Sequence, residues 1–426
     1  MQLFMSLVGM VVLILIAVLF SSNYRAIKLR TVLGAFLIQV ATGAFVLYVP
    51  AGKKILMGMS EGVSSVIQYG QKGMDFIFGG LVSPKMFELF GGGGGFVFAL
   101  RVLPIIVFFS SLIAVLYYIG VMQLVIKILG GALQKVLGTS RTESLSATAN
   151  IFVGQTEAPL VVRPYIATMT QSELFAVMCG GLASVAGSVL AGYASMGVSL
   201  EYLIAASFMA APGGLLFAKL IVPETESTRD TADAMSLVAE EDRPANIIDA
   251  AASGAAAGMQ LALNVGAMLL AFVALIALVN GILSGVGGWW NYPQLSLELV
   301  LGWVCAPIAY LIGVPWNEAT VAGSFIGQKL VVNEFVAFMN FKPYLQSDDV
   351  VAAAGLQVLS GHTKAIISFA LCGFANLSSV AILLGGLGGM APSRRGDVAR
   401  LGMKAVIAGT LSNLMSATIA GFFLAL

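Results

Sequence analysis

Residues 140–159 read SRTESLSATANIFVGQTEAP, and this stretch decides how the chain folds. A helix from Ser140 to Val153 would be roughly 21 Å long, which is shorter than the hydrocarbon core of a bilayer, about 30 Å thick. The segment from Gly154 to Pro159 then breaks the helix, so the chain has to return to the side from which it came. Backbone that leaves a helix at that depth must be covered by protein or line a wet cavity. The stretch therefore predicts a re-entrant helical hairpin with its tip near the membrane midplane.

The composition of the whole chain indicates that lipid, rather than water, surrounds most of it. Of the 426 residues, 58% are hydrophobic and 10% are charged, and the mean hydropathy is +0.94. A soluble domain would carry about 25% charged residues, so the sequence predicts an integral membrane protein. The formal net charge of +1 argues against a nucleic-acid partner. Three cysteines in apolar context and a single histidine exclude a disulfide framework and a multi-histidine metal centre, and we expect no organic cofactor.

Eight uncharged stretches are close to the length that crosses a bilayer. If the N-terminus lies outside, Lys and Arg gather in the inner loops, as the positive-inside rule requires. We therefore predict an all-α protein of the bacterial cytoplasmic (inner) membrane, with eight transmembrane helices and both termini on the periplasmic side. Residues 53–75 carry apolar side chains four apart, which predicts an interfacial helix. The predicted crossings are residues 3–20, 31–50, 102–122, 174–197, 202–218, 260–284, 365–390 and 405–426.

Short motifs recur in the two halves of the chain in the same order. Gln-Thr-Glu-Ala at 155–158 is matched by Trp-Asn-Glu-Ala at 316–319. Ser-Glu-Leu-Phe-Ala at 172–176 is matched by Asn-Glu-Phe-Val-Ala at 333–337, and a Cys-Gly motif follows each copy. Because the predicted crossings place the two copies on opposite sides of the membrane, we expect an inverted repeat. Repeats of this kind hold the binding sites of many transporters.

The repeat divides the chain into five parts. Each repeat contains one re-entrant hairpin, and Pro315 provides the helix break of the second. The parts are scaffold helices with the interfacial helix (1–125), the first repeat with its hairpin at about 138–170 (126–222), a polar cytoplasmic loop (223–245), the second repeat with its hairpin at about 314–345 and a following helix (246–390), and a C-terminal transmembrane helix (391–426).

Three carboxylates lie in or beside the predicted hairpins, at Glu157, Glu318 and Glu334. A charged side chain at the centre of a membrane helix costs at least roughly 2.5–3.5 kcal/mol, so each carboxylate needs a partner. A substrate with several NH or OH groups would provide one. The alternative is a structural ion pair, with Arg163, Lys329 or Lys364.

Two other glutamates have a local explanation. Ser140 with Glu143, and Thr170 with Glu173, have the spacing of a capping box, in which the two side chains satisfy backbone N–H groups at the start of a helix. We therefore interpret both glutamates as structural.

Uncharged polar side chains offer two further candidate sites. Asn150, one turn before the hairpin tip, and Ser184, in the middle of a predicted helix, could hold sodium together with freed backbone carbonyls. Asn376 and Ser379 lie three residues apart near the middle of a late helix, beside Phe374, and would suit a diol. For both pairs the alternative is hydrogen bonding between packed helices.

Four segments together resemble the signatures of the concentrative nucleoside transporter family. The likeness covers essentially the whole chain. It implies a homotrimer of eight-helix protomers with two hairpins, which imports nucleosides together with sodium or protons. The segments are GQTEAP at 154–159, PWNEA at 315–319, NEFVA at 333–337 and CGFANLSS at 372–379.

The resemblance also implies roles for individual residues. Binding of the nucleobase would fall to the tip of the first hairpin and its neighbours, namely Gly154, Gln155, Thr156, Glu157 and Val189. The ribose hydroxyls would be bound in the second repeat, by Glu334, Asn376 and Ser379 with Phe374 nearby. The co-transported sodium would be held by two side chains and two backbone carbonyls, those of Asn150 and Ser184 and those of Val153 and Val185.

Competing functions differ in what the sequence would have to contain. A sodium–nucleoside symporter is the main hypothesis, and a proton-coupled nucleoside symporter that uses Glu157 or Glu334 is the alternative. A channel would need a ring of one residue type, and none is visible. An intramembrane enzyme would need a Ser–His or paired-Asp motif, which the hairpins lack, so we expect no enzyme. Two hairpins that enter from opposite faces favour an elevator-like motion.

Overall fold

The computed structural model describes residues 2–83, 85–86, 89–90, 96–226 and 244–426, and throughout this part of the chain the regular structure is helical. This confirms the predicted all-α fold. Most of the predicted polar loop at 223–245 lies outside the described residues. In chain order the helices are α1 Gln2–Leu19, α2 Leu29–Leu47, α3 Pro50–Phe78, α4 Phe98–Tyr118, α5 Val121–Leu137, α6 Arg141–Ala149, α7 Gln171–Ala183, α8 Gly187–Ser195, α9 Leu200–Ile221, α10 Ile247–Gly288, α11 Leu297–Leu311, α12 Trp316–Val331, α13 Glu334–Phe341, α14 Asp348–Ala353, α15 Gly361–Leu371, α16 Ser379–Met390 and α17 Arg395–Leu424.

Among the described residues, seven helical segments are long and apolar enough to cross a membrane. An eighth is obtained if α11 and α12, which meet at an angle of 115°, are taken as one bent span. The predicted continuous crossing at 365–390 is wrong, because the chain leaves the helix at Cys372 and resumes it only at Ser379. The seven segments are Gln2–Leu19, Leu29–Leu47, Phe98–Tyr118, Gln171–Ser195, Leu200–Ile221, Ile247–Gly288 and Pro392–Leu424.

The segment predicted as an interfacial helix is helical, as α3, and it is longer than its pattern indicated. Pro50 stands in its first turn, where the missing N–H costs nothing, and Gly79 ends it with a positive φ of 53°. Leu56 and Met74 are buried on one side, whereas Ile55 is 55% exposed. Its two faces therefore meet different surroundings, as an interfacial helix requires.

The first hairpin, defined here as residues 141–168, forms where the sequence predicted it. Its first arm is α6, which begins with a complete capping box between Ser140 and Glu143. Its second arm is a 3₁₀ helix, Ala158–Thr168, rather than an α-helix. Pro159 and Pro164 explain the difference, because neither can donate the backbone hydrogen bond of a regular helix.

The second hairpin, residues 316–341, consists of α12 and α13 with a turn at Val332–Asn333. The Asn333 side chain accepts from the backbone N–H of Val336 at 2.9 Å and so caps α13. Asn340 on the second arm donates to Gln328 on the first at 2.5 Å, which ties the arms together. Glu334 is thereby fixed as the first residue after the tip.

The two glutamates that the motif comparison paired occupy different positions in their hairpins. Glu157 lies in the turn between the arms of the first hairpin, whereas Glu318, its partner in the motif comparison, lies in the first turn of α12. By position, Glu157 corresponds to Glu334 at the second tip, and Glu318 corresponds to Glu143. The order of elements is repeated (short helix, tip, second arm, interrupted helix), but the matched letters do not mark equivalent places.

The segment Gln171–Ser195, which consists of α7 and α8, and the helix α9 occupy the interior of the molecule. In Gln171–Ser195 and Leu200–Ile221, 94% of the apolar stretch is buried, compared with 11% in Ile247–Gly288 and 22% in Leu29–Leu47. The outer helices therefore present their apolar side chains outward, as is expected of a surface in lipid. The hairpins, α7, α8, α9, α15 and α17 form the centre.

Candidate functional site

The site lies where two interrupted helices and both hairpins come together. The first split helix consists of α7 and α8, with a break at Ser184–Ala186, and the second consists of α15 and α16, with a break at Cys372–Ser378. The two breaks are in direct contact, because the backbone N–H of Phe374 donates to the carbonyl of Ser184 at 3.2 Å. Ser184 and Asn376 therefore lie in the breaks, and the prediction that they occupy the middle of continuous helices is wrong.

The tip of the first hairpin rests on the first split helix. Gly187 N–H donates to the Phe152 carbonyl at 3.0 Å. Gly181 allows the close approach, since a methyl group placed on it would lie 2.8 Å from Cβ of Gln155. A methyl group on Gly154 would lie 3.3 Å from Ala186 Cβ and 4.0 Å from the Phe374 ring. The tip is thus seated between both breaks.

Four of the residues expected to bind a nucleobase, Gly154 to Glu157, form this tip. Glu157 is half-buried, and its Oε2 accepts from the backbone N–H of Gly154 at 3.0 Å. Gln155 is buried, and its Oε1 has no hydrogen-bond partner among the described residues. Thr156 is exposed and lies beside α16, as its methyl group is 3.3 Å from the position of a methyl on Gly386. Amide, hydroxyl and carboxylate groups therefore lie on three consecutive residues of the tip.

The residues expected to bind a sugar form one hydrogen-bonded group at the second hairpin tip. Glu334 is 4% exposed, and its Oε2 accepts from Asn376 Nδ2 at 2.9 Å. Ser379 donates to the Phe374 carbonyl at 2.5 Å and also lies 3.1 Å from Asn376 Oδ1. Asn376 Oδ1 accepts in addition from the Ser379 backbone N–H at 2.9 Å. The break thus orders Asn376 against the Glu334 carboxylate and Ser379 against Asn376.

Sequence reasoning missed Tyr193, which also contacts this carboxylate. The Tyr193 hydroxyl donates to Oε1 of Glu334 at 3.3 Å, and its ring packs against Phe335 and Phe338, with centroids 4.9 and 4.4 Å away. The sequence contained one indication of this contact. Tyr193 follows Val189, an expected site residue, by four residues, so the two side chains share one face of α8.

The residues expected to hold sodium are buried on the first hairpin and at the first break, two elements that pack against each other. Asn150 is 1% exposed, and its Nδ2 donates to the Ser146 carbonyl at 2.9 Å. Its Oδ1 has no partner among the described residues, although a buried amide oxygen normally has one. Ser184 is 2% exposed, and its hydroxyl is 3.4 Å from the Gly181 carbonyl. Val153 and Val185, whose carbonyls were expected to complete the set, are buried at 2% and 0% exposure.

The remaining carboxylates have structural partners. Glu318 accepts from the backbone N–H and the hydroxyl of Ser360, at 3.2 and 3.0 Å, so it supports the cap of α15. Thr170 and Glu173 form the predicted capping box, and Glu143 pairs with Lys219. Lys364, an expected partner for a hairpin glutamate, instead lies 3.3 Å from Asp348. Glu318 is therefore part of the framework and not of the site.

Comparison with known families gives matches along almost the whole chain. Residues 8–81 match the family model described as the N-terminus of the Na+ dependent nucleoside transporter, and residues 202–421 match its C-terminus. Residues 99–200 match a model described as nucleoside recognition. Because these models cover the scaffold, both hairpins and both split helices, the match includes the whole candidate site.

Individual relatives match almost the whole of this chain. The nucleoside permease NupC of Helicobacter pylori is 56% identical over 421 residues, covering 99% of this chain and 98% of the relative. Sodium/nucleoside cotransporter 1 of Sus scrofa is 38% identical, covering 97% of this chain and 63% of the relative.

Solved structures show the same fold. A structure of CNTnw in an inward-facing, substrate-bound state is 67% identical, covers 99% of this chain and 98% of that chain, and superposes with a TM-score of 0.94. A variant of CNTnw in an outward-facing state, also 67% identical, covers 100% of this chain and 99% of its own and gives 0.96.

Proposed function

The chain belongs to the concentrative nucleoside transporter family, so it is a membrane transporter of nucleosides and not an enzyme, and we propose that it is a sodium–nucleoside symporter. It would import nucleosides across the bacterial inner membrane by moving the site from one face to the other. We thus propose sodium as the coupling ion, a role for each site residue, and inward transport.

One observation carries the choice of sodium. Asn150 Oδ1 is a buried acceptor without a partner among the described residues. The Asn150 amide packs against Gly180, one turn before the helix break that contains Ser184. An unpaired amide oxygen in an apolar interior costs about 1–3 kcal/mol unless a partner satisfies it. A sodium ion bound by Asn150, Ser184 and the carbonyls of Val153 and Val185 would satisfy it with the oxygen ligands that hard cations prefer.

Each hairpin tip would bind one part of the nucleoside. We assign the ribose to Glu334, Asn376 and Ser379, because a buried carboxylate flanked by an amide and a hydroxyl suits the two hydroxyls of a cis-diol. The nucleobase would lie at the first tip, against Gln155, Thr156 and Glu157, with Gly154 and Val189 shaping the space and Phe374 beside it.

A proton-coupled nucleoside symporter is the second candidate. The observation in its favour is that the Glu157 carboxylate accepts from the backbone of Gly154 but forms no ion pair among the described residues. A carboxylate that lacks a cationic partner in a membrane interior readily takes up a proton. Glu334 could play the same part.

Initial uptake in proteoliposomes separates the two candidates. Labelled nucleoside is supplied under a sodium gradient at equal pH on both sides, and under a pH gradient without sodium. The sodium-coupled function predicts accumulation in the first condition only. Accumulation in the second condition alone would establish the proton as the coupling ion.

Assembly, topology and motion complete the proposal. We propose a homotrimer with both termini in the periplasm, in which residues 138–190 and 314–385, including both hairpins, move as one body against the scaffold. The exposed apolar faces of the outer helices support a fixed scaffold in lipid. The inward- and outward-facing states of the related CNTnw structures support a movement of the site between the two faces.

A further inference from the structure

A buried polar pair behind the site has no part in the binding roles assigned above. Lys329 on α12 and Asn413 on α17 are each 2% exposed. The Lys329 ammonium donates to the carbonyl of Ala370 at 2.8 Å and to Oδ1 of Asn413 at 2.6 Å. A lysine in a membrane interior is costly and is retained where it has a task.

Asn413 contacts the breaks of both split helices at once. Its Nδ2 donates to the Ala183 carbonyl at 2.6 Å and to the Cys372 carbonyl at 2.9 Å. Ala183 directly precedes Ser184 of the cation site, and Cys372 lies two residues before Phe374 of the nucleoside site. The last carbonyls of a helix lack partners within the helix, and this one amide satisfies a carbonyl at each of the two breaks.

Lys329 determines which way the Asn413 amide faces. An amide has one accepting oxygen and one donating nitrogen, so the reversed orientation would place two donors against each other and two acceptors against each other. The Lys329 ammonium can only donate, and it therefore holds Oδ1 toward itself and Nδ2 toward the two carbonyls. Gly373 leaves room for this arrangement, because a methyl group there would overlap the Asn413 amide.

We propose that Asn413, oriented by Lys329, is a positioning residue that couples the cation site to the nucleoside site. An ion bound between Asn150 and Ser184 fixes the first break, and Asn413 carries that constraint to the Cys372 carbonyl and so to Phe374 and Asn376. A direct bond from Phe374 N–H to the Ser184 carbonyl runs in parallel. Loss of the amide therefore weakens the coupling without removing it. The inference rests on the proposed function, since it takes sodium as the coupled ion.

The test measures linkage, because a merely structural residue would not change it selectively. In purified full-length protein, the Kd for uridine, or for adenosine if the wild type binds it more tightly, is determined at low and at saturating sodium with constant ionic strength. The ratio of the two values is the coupling factor, which is about 5 to 150 in allosteric proteins. The reciprocal measurement, sodium affinity with and without nucleoside, must give the same factor.

Asn413→Asp is the main variant, because a carboxylate keeps an acceptor for Lys329 and loses the donor to both breaks. Lys329→Met, which frees the amide to turn, is the second variant and applies if the first does not fold. Gln328→Met is the matched control, since Gln328 is equally buried but bonds only within the hairpin, to Ser324 and Asn340. We expect both Lys329 and Asn413 variants to reduce the coupling factor at least fivefold and the control to keep it.

Two results would overturn the inference, and they are distinguishable. If the wild type shows linkage and the variants lose affinity equally at both sodium concentrations, Asn413 is structural and the proposed function stands. If the nucleoside affinity of the wild type is independent of sodium, the proposed sodium coupling fails and the inference fails with it.

Discussion

Replacing Glu334 should remove the preference for nucleosides that carry ribose hydroxyls. A carboxylate has about four acceptor positions, and the structure uses two of them, for Asn376 Nδ2 and the Tyr193 hydroxyl. Two positions remain for the two hydroxyls of a cis-diol. Hydrogen bonds to a charged group contribute about 1.5–3 kcal/mol each, so the diol gains at least about 3 kcal/mol. At about 1.4 kcal/mol per tenfold, this corresponds to roughly a hundredfold in affinity.

The assay is competition of uridine and of 2′,3′-dideoxyuridine against labelled nucleoside. Wild-type protein should prefer uridine by roughly a hundredfold, by the free energy above. Glu334→Ala should bring this ratio close to unity. Glu334→Gln should leave about tenfold or less, because its single oxygen, once bonded to Asn376, keeps one neutral acceptor position worth about 1 kcal/mol.

Glu318→Gln is the matched control, since Glu318 is another buried carboxylate of the same hairpin that bonds Ser360. It should lower thermal stability and leave the uridine ratio unchanged. A Glu334→Ala variant that folds, binds nucleoside and still prefers uridine as strongly as the wild type would refute the assignment of the ribose to Glu334.

Three further predictions test the surroundings of the site. Tyr193→Phe removes one donor to the Glu334 carboxylate, worth about 1.5 kcal/mol as a hydrogen bond to a charged group, and should weaken nucleoside binding about tenfold. Sodium affinity in the absence of nucleoside should stay unchanged, and an unchanged nucleoside Kd would contradict this prediction. Gly181→Ala places a methyl group 2.8 Å from Gln155 Cβ, so it should displace the hairpin tip and reduce uptake about tenfold or more. In the control Gly285→Ala, the methyl group meets nothing within 4 Å, and this variant should transport normally. Equal uptake by the two variants would show that the tip tolerates the displacement. With the native cysteines replaced, Thr156→Cys should react with impermeant thiol reagents from outside in one state and from inside in another, and labelling from one side under every transporting condition would count against a moving site.

Features set by neighbouring residues could be predicted from the sequence. The capping boxes at Ser140 and Thr170 are present as their spacing indicated, since a cap needs only four consecutive residues. Most of the long apolar runs form helices of membrane-spanning length, because length and hydropathy are also properties of consecutive residues. Glycine and proline at 154–159 were enough to place the first hairpin tip.

Features set by distant contacts could not be predicted in this way. The segment 365–390 carries no charge, and its break at Cys372 is supported by an amide 41 residues later in the chain, on α17. The contact of Tyr193 with Glu334 joins residues 141 positions apart. The motif comparison paired Glu157 with Glu318, because both are followed by alanine in similar motifs. Glu157, however, lies at a hairpin tip, whereas Glu318 lies in the first turn of a helix. Each of these required the three-dimensional structure.

Sodium-driven accumulation of nucleoside in proteoliposomes tests the central claim most directly. One sodium ion moving down a tenfold gradient releases about 1.4 kcal/mol, and a membrane potential of about 100 mV adds about 2.3 kcal/mol, which together support several-hundredfold accumulation of a neutral solute. At equal pH on both sides, we predict uphill uptake that requires sodium in the wild type and loses its sodium dependence in Asn150→Ala. Uptake that follows a pH gradient and is unaffected by sodium would contradict the account.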